Sequence, residues 1–359
     1  MKRAHNFFAG PAILPQEVLE EASQGVKDLN GIGMSVLEIS HRSKFFEDII
    51  NQAKEDIKEL LNLPDNYEVL FLQGGASHQF AMIPYNFLVK GKKANYVLTG
   101  SWSKKALKEA SILGETYVSA TSEDTSFDRI PASIDISDDS CYLHITSNNT
   151  IFGTQWANYP DTGNVPLICD MSSDIFCRPI DVKKFALIYA GAQKNAGPAG
   201  ATIVIIRKDL LENQNSNLNT LWNYETHIKK NSMFNTPPVF AVYVIGLVAK
   251  WLKKQGGLEK IYGINKEKAG LIYNLIDKYP DFFKGHAKEN SRSLMNITMR
   301  LPNEDLEKLF VEEASKNDMY GLKGHREVGG LRASMYNALP MESAKALAEF
   351  MEDFYKRHG

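Results

Sequence analysis

A single lysine stands in a stretch of small residues. Residues 190–200 read "AGAQKNAGPAG", and Lys194 is the only charged residue among them. The apolar runs "FALIYA" and "ATIVII" flank the stretch, so Lys194 lies on a loop at the end of a predicted strand. A lysine normally extends to water. One enclosed by small residues, which leave room for a ligand, can lose its proton and form a Schiff base with a carbonyl compound.

A carboxylate ends a neighbouring predicted strand, because Asp170 closes "VPLICD". An aspartate at such a place commonly forms a turn or caps a helix. Close to Lys194 at the same sheet edge, it would instead hold a pyridine nitrogen protonated. Pyridoxal phosphate (PLP) requires that partner to act as an electron sink. The pair therefore predicts PLP chemistry more strongly than either residue does alone.

Three junctions after predicted strands offer groups for a flat, phosphorylated cofactor. In "QGGASHQF" two glycines precede a helix start, whose free N–H groups and positive dipole end suit a phosphate. The spacing matches neither a Walker loop nor G-x-G-x-x-G. Trp102, after "TGS", either packs internally or stacks on a flat ring. Asn149 and Thr150, after "CYLHITS", either form a turn or donate hydrogen bonds to a ligand oxygen.

Five cationic residues predict an anionic substrate. Two His-Arg pairs occur in distant segments, His41-Arg42 and His325-Arg326, and Arg332 follows "EVGGL". Any one of these would most often be a surface or salt-bridging residue. Together they indicate a substrate with two anionic groups, because a guanidinium can bind a carboxylate or phosphate through two hydrogen bonds.

The elements that carry these residues alternate between strand and helix. The segment "SKFFEDIINQAKEDIKELLN" predicts a helix with Ser43 as N-cap and Pro64 beyond its end. Near-continuous apolar strands between such helices predict an α/β fold, a mostly parallel sheet covered on both faces. Ligands bind at the carboxyl ends of such strands. A long apolar helix stops at Gly256-Gly257, and helices 258–279, 303–316 and 341–357 around strand "LMNITMRL" follow as a smaller α+β unit.

Length and composition narrow the class of protein. The 359 residues suit one large and one smaller domain. A net charge of -2 gives no electrostatic footprint for nucleic acid or an anionic membrane. No segment approaches the roughly 20 apolar residues of a membrane span, and the first 15 residues are not typical of a signal peptide. Cys141, Cys169 and Cys177 lack metal-ligand spacing, which predicts reduced, buried thiols of a cytoplasmic protein and no metal site.

The chain resembles the phosphoserine aminotransferases, class-V PLP-dependent aminotransferases, along nearly its whole length. The matching stretches, in chain order, are "FFAGPAILP", "SHRSKFF", "QGGASHQF", "GSWSKKA", "ICDMSSDIFCRPID", "YAGAQKNAGPAG", "MFNTPP", "KGHREVGGLRASMYNA" and "FYKRHG". The resemblance implies a PLP-dependent transferase of fold type I that forms a homodimer with shared active sites. It also implies a large PLP-binding domain over residues 16–257 and a small α+β domain formed by 1–15 and 258–359.

The resemblance implies a role for each candidate residue. Lys194 corresponds to the Schiff-base lysine, Asp170 to the pyridinium partner and Trp102 to the ring-stacking residue. Thr150 corresponds to the donor to the cofactor's phenolic oxygen. The remaining implied contacts are Ala76, Ser77 and Gln193 for the cofactor phosphate, Asn235 and Thr236 for the partner subunit's cofactor phosphate, Arg332 for the substrate carboxylate, and His41, Arg42, His325 and Arg326 for the substrate's phosphate or glutamate's side-chain carboxylate.

Two positions depart from the family pattern. Some members read "GGGRGQF" and have an arginine where this chain has Ser77, so a cation is missing that His78 would replace in part. Some have a serine at the position of Ala9, near the glutamate site, and its loss removes one hydrogen bond.

The implied reaction is reversible amino transfer between L-glutamate and 3-phosphohydroxypyruvate, giving 2-oxoglutarate and O-phospho-L-serine for L-serine biosynthesis. Lys194 is the expected general base. Three alternatives stay open. The same chemistry would serve 3-hydroxy-2-oxo-4-phosphooxybutanoate in pyridoxine biosynthesis. A nucleotide-dependent oxidoreductase is disfavoured by the missing glycine fingerprint. A non-catalytic PLP-fold binding protein is disfavoured by the presence of both Lys194 and Asp170.

Overall fold

The computed structural model describes residues 3–359, which form an α/β fold built around a seven-stranded sheet. The strands of this part of the chain are β1 (His5–Asn6), β2 (Tyr67–Leu72), β3 (Lys93–Leu98), β4 (Glu115–Thr121), β5 (Ser140–Thr146), β6 (Asn148–Asn149), β7 (Thr154–Gln155), β8 (Leu167–Asp170), β9 (Leu187–Gly191), β10 (Thr202–Arg207), β11 (Lys284–Gly285), β12 (Asn296–Arg300), β13 (Met319–Tyr320) and β14 (Leu331–Ser334). Its α-helices are α1 (Gln16–Lys27), α2 (Lys44–Leu61), α3 (Gly75–Phe87), α4 (Ser101–Leu113), α5 (Tyr224–Lys229), α6 (Val239–Lys254), α7 (Gly257–Lys278), α8 (Glu304–Lys316) and α9 (Met341–His358).

The large sheet is mostly parallel, as the sequence predicted. Its strand order is β2, β10, β9, β8, β5, β3, β4, and β10 runs in the direction opposite to the other six strands. Strands β8 and β9 are buried along their whole length, which explains their continuous apolar sequences. Parallel pairing brings the carboxyl ends of β3, β5, β8 and β9 to one edge of the sheet, so the residues that follow these strands lie close together.

The helix boundaries follow local signals that the sequence displays. Helix α2 begins after Ser43, whose side chain accepts a hydrogen bond from the Phe46 amide, and ends at Asn62 in a left-handed conformation (φ 49°). Helix α6 ends before Gly256, whose φ of 96° is costly for residues with a side chain. Both ends agree with the sequence prediction.

The C-terminal elements form a second apolar core, separate from the core around the large sheet. Strands β11, β12 and β14 make an antiparallel sheet, while β1 pairs in parallel with β13. Phe7 and Ile13 belong to this second core, so the N-terminal segment packs with the C-terminal elements. Helix α7 joins the two cores, because Leu258 packs in the first and Ile272 in the second. The predicted boundary at residue 257 lies at the start of this shared helix and stays a prediction.

No helix within residues 3–359 is long and apolar enough to cross a membrane.

Candidate active site

Lys194 lies in the turn after β9, and its Nζ donates a hydrogen bond to Thr150 Oγ1 at 2.6 Å. The N-terminal segment covers the stem of the lysine: a Cβ placed on Gly10 would lie 3.1 Å from Lys194 Cγ. Other small residues of the loop serve packing, since a Cβ on Gly197 would lie 2.7 Å from Ile245 Cγ1 of α6. The sequence interpretation that these residues leave room for a ligand therefore does not account for Gly197.

The surroundings of Lys194 favour its neutral form. The pKa of Lys194 is lowered to about 8, mainly by burial; the carboxylate of Asp170 opposes this effect, and the positive charge of Arg332 adds to it. An amine with this pKa exchanges protons readily near neutral pH. Lys194 thus combines a fixed position with the protonation behaviour that a nucleophile and base require.

Asp170 ends β8 and is buried at the same sheet edge. Its Oδ1 accepts two hydrogen bonds from Ser172, from the amide at 2.9 Å and from the hydroxyl at 2.6 Å. Ser172 Oγ in turn accepts from the Gly191 amide at 3.0 Å, which ties the carboxylate to the end of β9. Burial raises the pKa of Asp170, while Ser172 and Lys194 oppose that rise and favour the ionised form. Sequence reasoning did not identify Ser172.

Trp102 lies in the first turn of α4, half-buried, with its ring centroid 5.4 Å from Lys194 Nζ. Its buried Nε1 has no hydrogen-bond acceptor among residues 3–359. Besides Lys194, Lys105 lies over this ring, with its Nζ 4.3 Å from the ring centroid. Sequence reasoning missed this residue. Trp102 therefore supplies an aromatic surface beside the amine of Lys194.

Arg332, on β14, connects the C-terminal elements to this group. Its Nη1 donates to the carbonyl of Thr150 at 3.3 Å. Burial lowers the pKa of Arg332. Its buried Nε has no acceptor, and the guanidinium forms no ion pair, within the described part of the chain. A half-buried guanidinium without a carboxylate partner is suited to an anionic ligand.

The turn that precedes β14 adds further positive charge. His325 is half-buried and Arg326 is exposed. Burial lowers the pKa of His325, and the charges of Arg332, Arg326 and Lys105 lower it further, while Glu327 raises it. These groups are thus close enough to act on one another. Glu327 accepts a hydrogen bond from Ser101 of α4, so the turn is fixed against the helix that carries Trp102.

The start of α3 presents the amides expected to bind a phosphate. Gly74, with φ 87°, precedes the helix, and Ala76 and Ser77 lie in its first turn, where N–H groups have no acceptors within the helix. Gln73 connects this site to a distant segment. Its side chain accepts from Asn235 Nδ2 at 2.9 Å and donates to the carbonyl of Thr236 at 3.1 Å. Both contacts lie within one chain, so the predicted role of this segment in a partner subunit stays a prediction.

The remaining residues singled out in the sequence have their own contacts. Gln193 packs over Gly191, where a Cβ would lie 2.9 Å from Gln193 Oε1. His78 hydrogen-bonds with the carbonyl of Gln73 at 3.2 Å and packs edge-on against Trp222 at 4.6 Å between centroids. The backbone oxygen of Ala9 accepts from Tyr336 Oη at 2.6 Å, so this position is fixed without a side-chain hydroxyl.

The first His-Arg pair makes no recorded contact with Lys194 or Arg332 within the described part of the single chain. No hydrogen bond, ion pair or ring contact within residues 3–359 joins His41 or Arg42 to Lys194 or Arg332. Arg42 is exposed, and its amide donates to Ser40 Oγ at 3.2 Å. Within the single chain, the charges of Arg332 and Arg326 act on His325, whereas the predicted role of His41 and Arg42 in the site stays a prediction.

Comparison with known proteins agrees with this geometry. The class-V aminotransferase profile matches residues 4–347. The chain is 55% identical to the phosphoserine aminotransferase of Lysinibacillus sphaericus over 359 residues, 99% of each chain. It superposes on phosphoserine aminotransferase from Bacillus circulans subsp. alkalophilus with a TM-score of 0.98, at 52% identity over 100% of both chains. PLP-bound phosphoserine aminotransferase from Trichomonas vaginalis gives 0.92 at 39% identity, over 98% of this chain and 100% of that one.

The fold and the matched profile define a class-V aminotransferase, a PLP-dependent enzyme. Within that class the chain belongs to the phosphoserine aminotransferase family. The predicted fold class, enzyme class and cofactor are therefore confirmed. The residues present also suit the cofactor chemically. An amine beside an aromatic ring, a buried carboxylate and a helix start with free amides match its aldehyde, its pyridine ring and its phosphate.

Proposed function

We propose that the protein catalyses reversible amino transfer between L-glutamate and 3-phosphohydroxypyruvate, giving 2-oxoglutarate and O-phospho-L-serine for L-serine biosynthesis. One observation carries the proposal: Lys194, Thr150 and Arg332 form a continuous set of hydrogen bonds beside the turn that holds His325 and Arg326. An amine suited to proton transfer thus lies next to cations suited to a substrate with two anionic groups. The names of the relatives support the same substrates.

Lys194 is the residue to which we assign proton transfer. When bound, PLP supplies an aldehyde that takes up an amino group and a ring that delocalises the charge developing at the substrate's α-carbon. Lys194 would hold the cofactor through its aldehyde and, when free, would act as the base that accepts the proton from the substrate's α-carbon. Its pKa of about 8 lets it both accept and return the proton near neutral pH.

Around Lys194, we assign the other cofactor contacts by chemistry. Asp170, whose ionised form is favoured by the hydrogen bonds from Ser172, would hold the pyridine nitrogen protonated. Trp102 would cover one face of the ring, and the hydroxyl of Thr150 would donate to the phenolic oxygen. The phosphate would be held by Ala76, Ser77 and Gln193, with Asn235 and Thr236 acting on the partner subunit's cofactor.

Arg332 is assigned to the α-carboxylate of every amino-acid substrate, because it is directly hydrogen-bonded to the residue that holds Lys194. The phosphate, or the side-chain carboxylate of glutamate, is assigned to His41, Arg42, His325 and Arg326. The 4-carbon substrate 3-hydroxy-2-oxo-4-phosphooxybutanoate carries the same two kinds of anionic group. Its use in pyridoxine biosynthesis is therefore a second proposed activity of the same site.

A homodimer with shared sites, in the cytoplasm, completes the proposal. Apolar side chains close in sequence to His41-Arg42 and to Asn235-Thr236 are exposed in the single chain, and a second copy would cover them. They are Met34, Leu37, Phe45 and Phe234. The three cysteines are free thiols, which supports a reducing compartment.

The proposal is tested by supplying O-phospho-L-serine and 2-oxoglutarate to the purified enzyme and measuring the L-glutamate formed. L-serine, which lacks the phosphate, is the matched control. We expect phosphoserine to be converted with a far higher kcat/KM. Equal rates with L-serine would show that the cationic turn does not select the substrate. The 4-carbon substrate is assayed in the same way.

A second experiment tests the assignment of Lys194. Borohydride reduction of the holoenzyme followed by peptide mapping should leave a pyridoxyl group on Lys194. A pyridoxyl group on any other lysine would contradict the assignment, whatever the substrate proves to be.

A further inference from the structure

Helix α4 carries two consecutive lysines near its start, and they have different surroundings. Lys104 Nζ forms an ion pair with Glu123 at 2.5 Å. Lys105 Nζ lies over the ring of Trp102, 4.3 Å from its centroid. Both side chains belong to exposed residues, but no carboxylate within residues 3–359 lies within 4 Å of Lys105 Nζ. The charge of Lys104 is therefore neutralised by Glu123, whereas Lys105 keeps its charge available beside the candidate active site.

The first turn of α4 faces the turn that carries the second His-Arg pair. The hydroxyl of Ser101 donates to Glu327, and Trp102 and Val328 pack against the same apolar cluster. Residues four apart in a helix share a face, so Lys105 lies on the face of Ser101. The charge of Lys105 accordingly contributes to lowering the pKa of His325, together with the charges of Arg332 and Arg326 and against Glu327.

We propose that Lys105 is a specificity-determining residue that adds a cation from the Trp102 side to the anion site of His325 and Arg326. It would favour a doubly charged phosphate over a singly charged carboxylate. The inference rests on the proposed function, because it names a further residue that distinguishes the two substrates of that reaction. The competing interpretation is structural: Lys105 would merely cover the indole ring with its aliphatic stem.

Electrostatics separates the two interpretations. The Coulomb energy between Lys105 and a bound anion is proportional to the charge of that anion. Removing the cation should therefore lower the logarithm of kcat/KM about twice as much for the substrate with the phosphate as for glutamate, which has a carboxylate at that place. The effect should shrink at high ionic strength, because the side chain is exposed and screened. If Lys105 only covered the indole ring, its replacement would lower kcat/KM equally for both substrates, and the loss would not depend on salt.

The kinetic test compares Lys105→Gln with the matched control Lys104→Gln in the holoenzyme. At low ionic strength we expect Lys105→Gln to lower kcat/KM about fivefold for O-phospho-L-serine and about twofold for L-glutamate. Lys105→Arg should restore most of the loss, and 1 M salt should narrow the difference. Equal losses for the two substrates, or the same values as Lys104→Gln, would overturn the proposal.

A readout that needs no turnover is the imidazole of His325, titrated by NMR in the substrate-free holoenzyme and assigned by its disappearance in His325→Gln. Lys105→Gln should raise the pKa of His325, and Lys104→Gln should leave it unchanged. An unchanged pKa in Lys105→Gln would overturn the proposed proximity. Failure of the proposed function would look different, since the unmodified enzyme would then show no preference for phosphoserine over L-serine while the His325 titration still responded.

Discussion

Lys194 Nζ and Thr150 Oγ1 lie 2.6 Å apart, so the amine after β9 is held by the turn between β6 and β7. The same threonine accepts from Arg332 through its carbonyl. One residue thus fixes the distance between the proposed base and the proposed carboxylate-binding residue. Thr150 is itself buried, which restricts its freedom to move.

The acidity of Lys194 is the first measurable consequence. Competitive acetylation of the cofactor-free protein across pH should give a pKa of about 8. Arg332→Gln should raise that pKa by removing a nearby positive charge, and Asp170→Asn should lower it by removing a negative one. Exposed Lys104 serves as the internal reference. Reactivity of Lys194 indistinguishable from this reference would contradict the proposed environment.

The hydrogen bonds of Ser172 to Asp170 predict a change in the pH profile. Ser172→Ala removes the hydroxyl that favours the ionised carboxyl, so the pKa of Asp170 should rise further. The acidic limb of kcat/KM should then move to higher pH, because Asp170 must stay ionised. Ser173→Ala is the control, since that hydroxyl donates to the carbonyl of Asn148 instead. The same displacement in both variants would assign the effect to general loosening of the segment.

Much of this site could be predicted from residue type and strand position. Lys194, Asp170, Trp102 and Thr150 each follow or end a strand whose apolar sequence is easily recognised, and parallel pairing brings such ends together. The sequence did not distinguish Lys105 from Lys104. Their difference depends on which way each side chain leaves the helix, and that direction is set by Glu123 on one side and Trp102 on the other.

Other elements gave too little signal to be predicted. Strand β4 lies at the edge of the sheet and has a single buried residue, so its sequence lacks the apolar run of a central strand. Helix α1 buries few residues, among them Gly25, which packs against Tyr243 so closely that a Cβ would lie 2.6 Å from the phenolic oxygen. Such an approach depends on a residue over two hundred positions away in the chain. The hydrogen bond between Ser172 and Asp170 could have been predicted from the sequence, since a serine two residues after an aspartate commonly forms a local hydrogen bond.

Arg326 and Arg332, the two arginines proposed to bind the substrate, should respond differently to mutation. Losing a charge-assisted hydrogen bond costs about 1.5–3 kcal/mol, or roughly 10- to 150-fold in kcat/KM. Arg326→Ala should therefore impair phosphoserine far more than L-alanine as amino donor, because only phosphoserine carries a side-chain anion. Arg332→Ala should impair every amino acid, since all carry the α-carboxylate. Equal losses with phosphoserine and alanine in Arg326→Ala would make Arg326 structural.

A buried lysine outside the site, Lys268, holds a backbone segment that contacts the loop of Lys194. Lys268 is fully buried and donates to the carbonyls of Met335, Tyr336 and Leu339, at 3.4, 2.8 and 3.2 Å. That segment includes Asn337, whose amide donates to Asn195, the residue after Lys194, at 2.9 Å.

Replacing this lysine should therefore destabilise the fold. Lys268→Met keeps the bulk but leaves the carbonyls without their donor, which should lower the free energy of unfolding by about 3 kcal/mol. Urea denaturation at fixed protein concentration measures the loss. Lys266→Met, at an exposed position of the same helix, should change it by about 0.5 kcal/mol or less. Comparable losses in the two variants would show that the buried contacts add little.

The proposed sharing of sites between subunits gives the last prediction. Lys194→Ala on one chain, and Asn235→Asp with Thr236→Asp on another, should each give an inactive homodimer. The first lacks its base, and the second repels the cofactor phosphate. In a mixed dimer with shared sites, one active site carries the substitutions of both chains, and the other active site carries none. Random mixing makes half the dimers mixed, so unfolding and refolding the variants together should restore about a quarter of the original activity. Size-exclusion chromatography confirms that dimers have formed. If the segment served its own chain, as its contacts with Gln73 would allow, every mixed site would carry a defect and no activity would return.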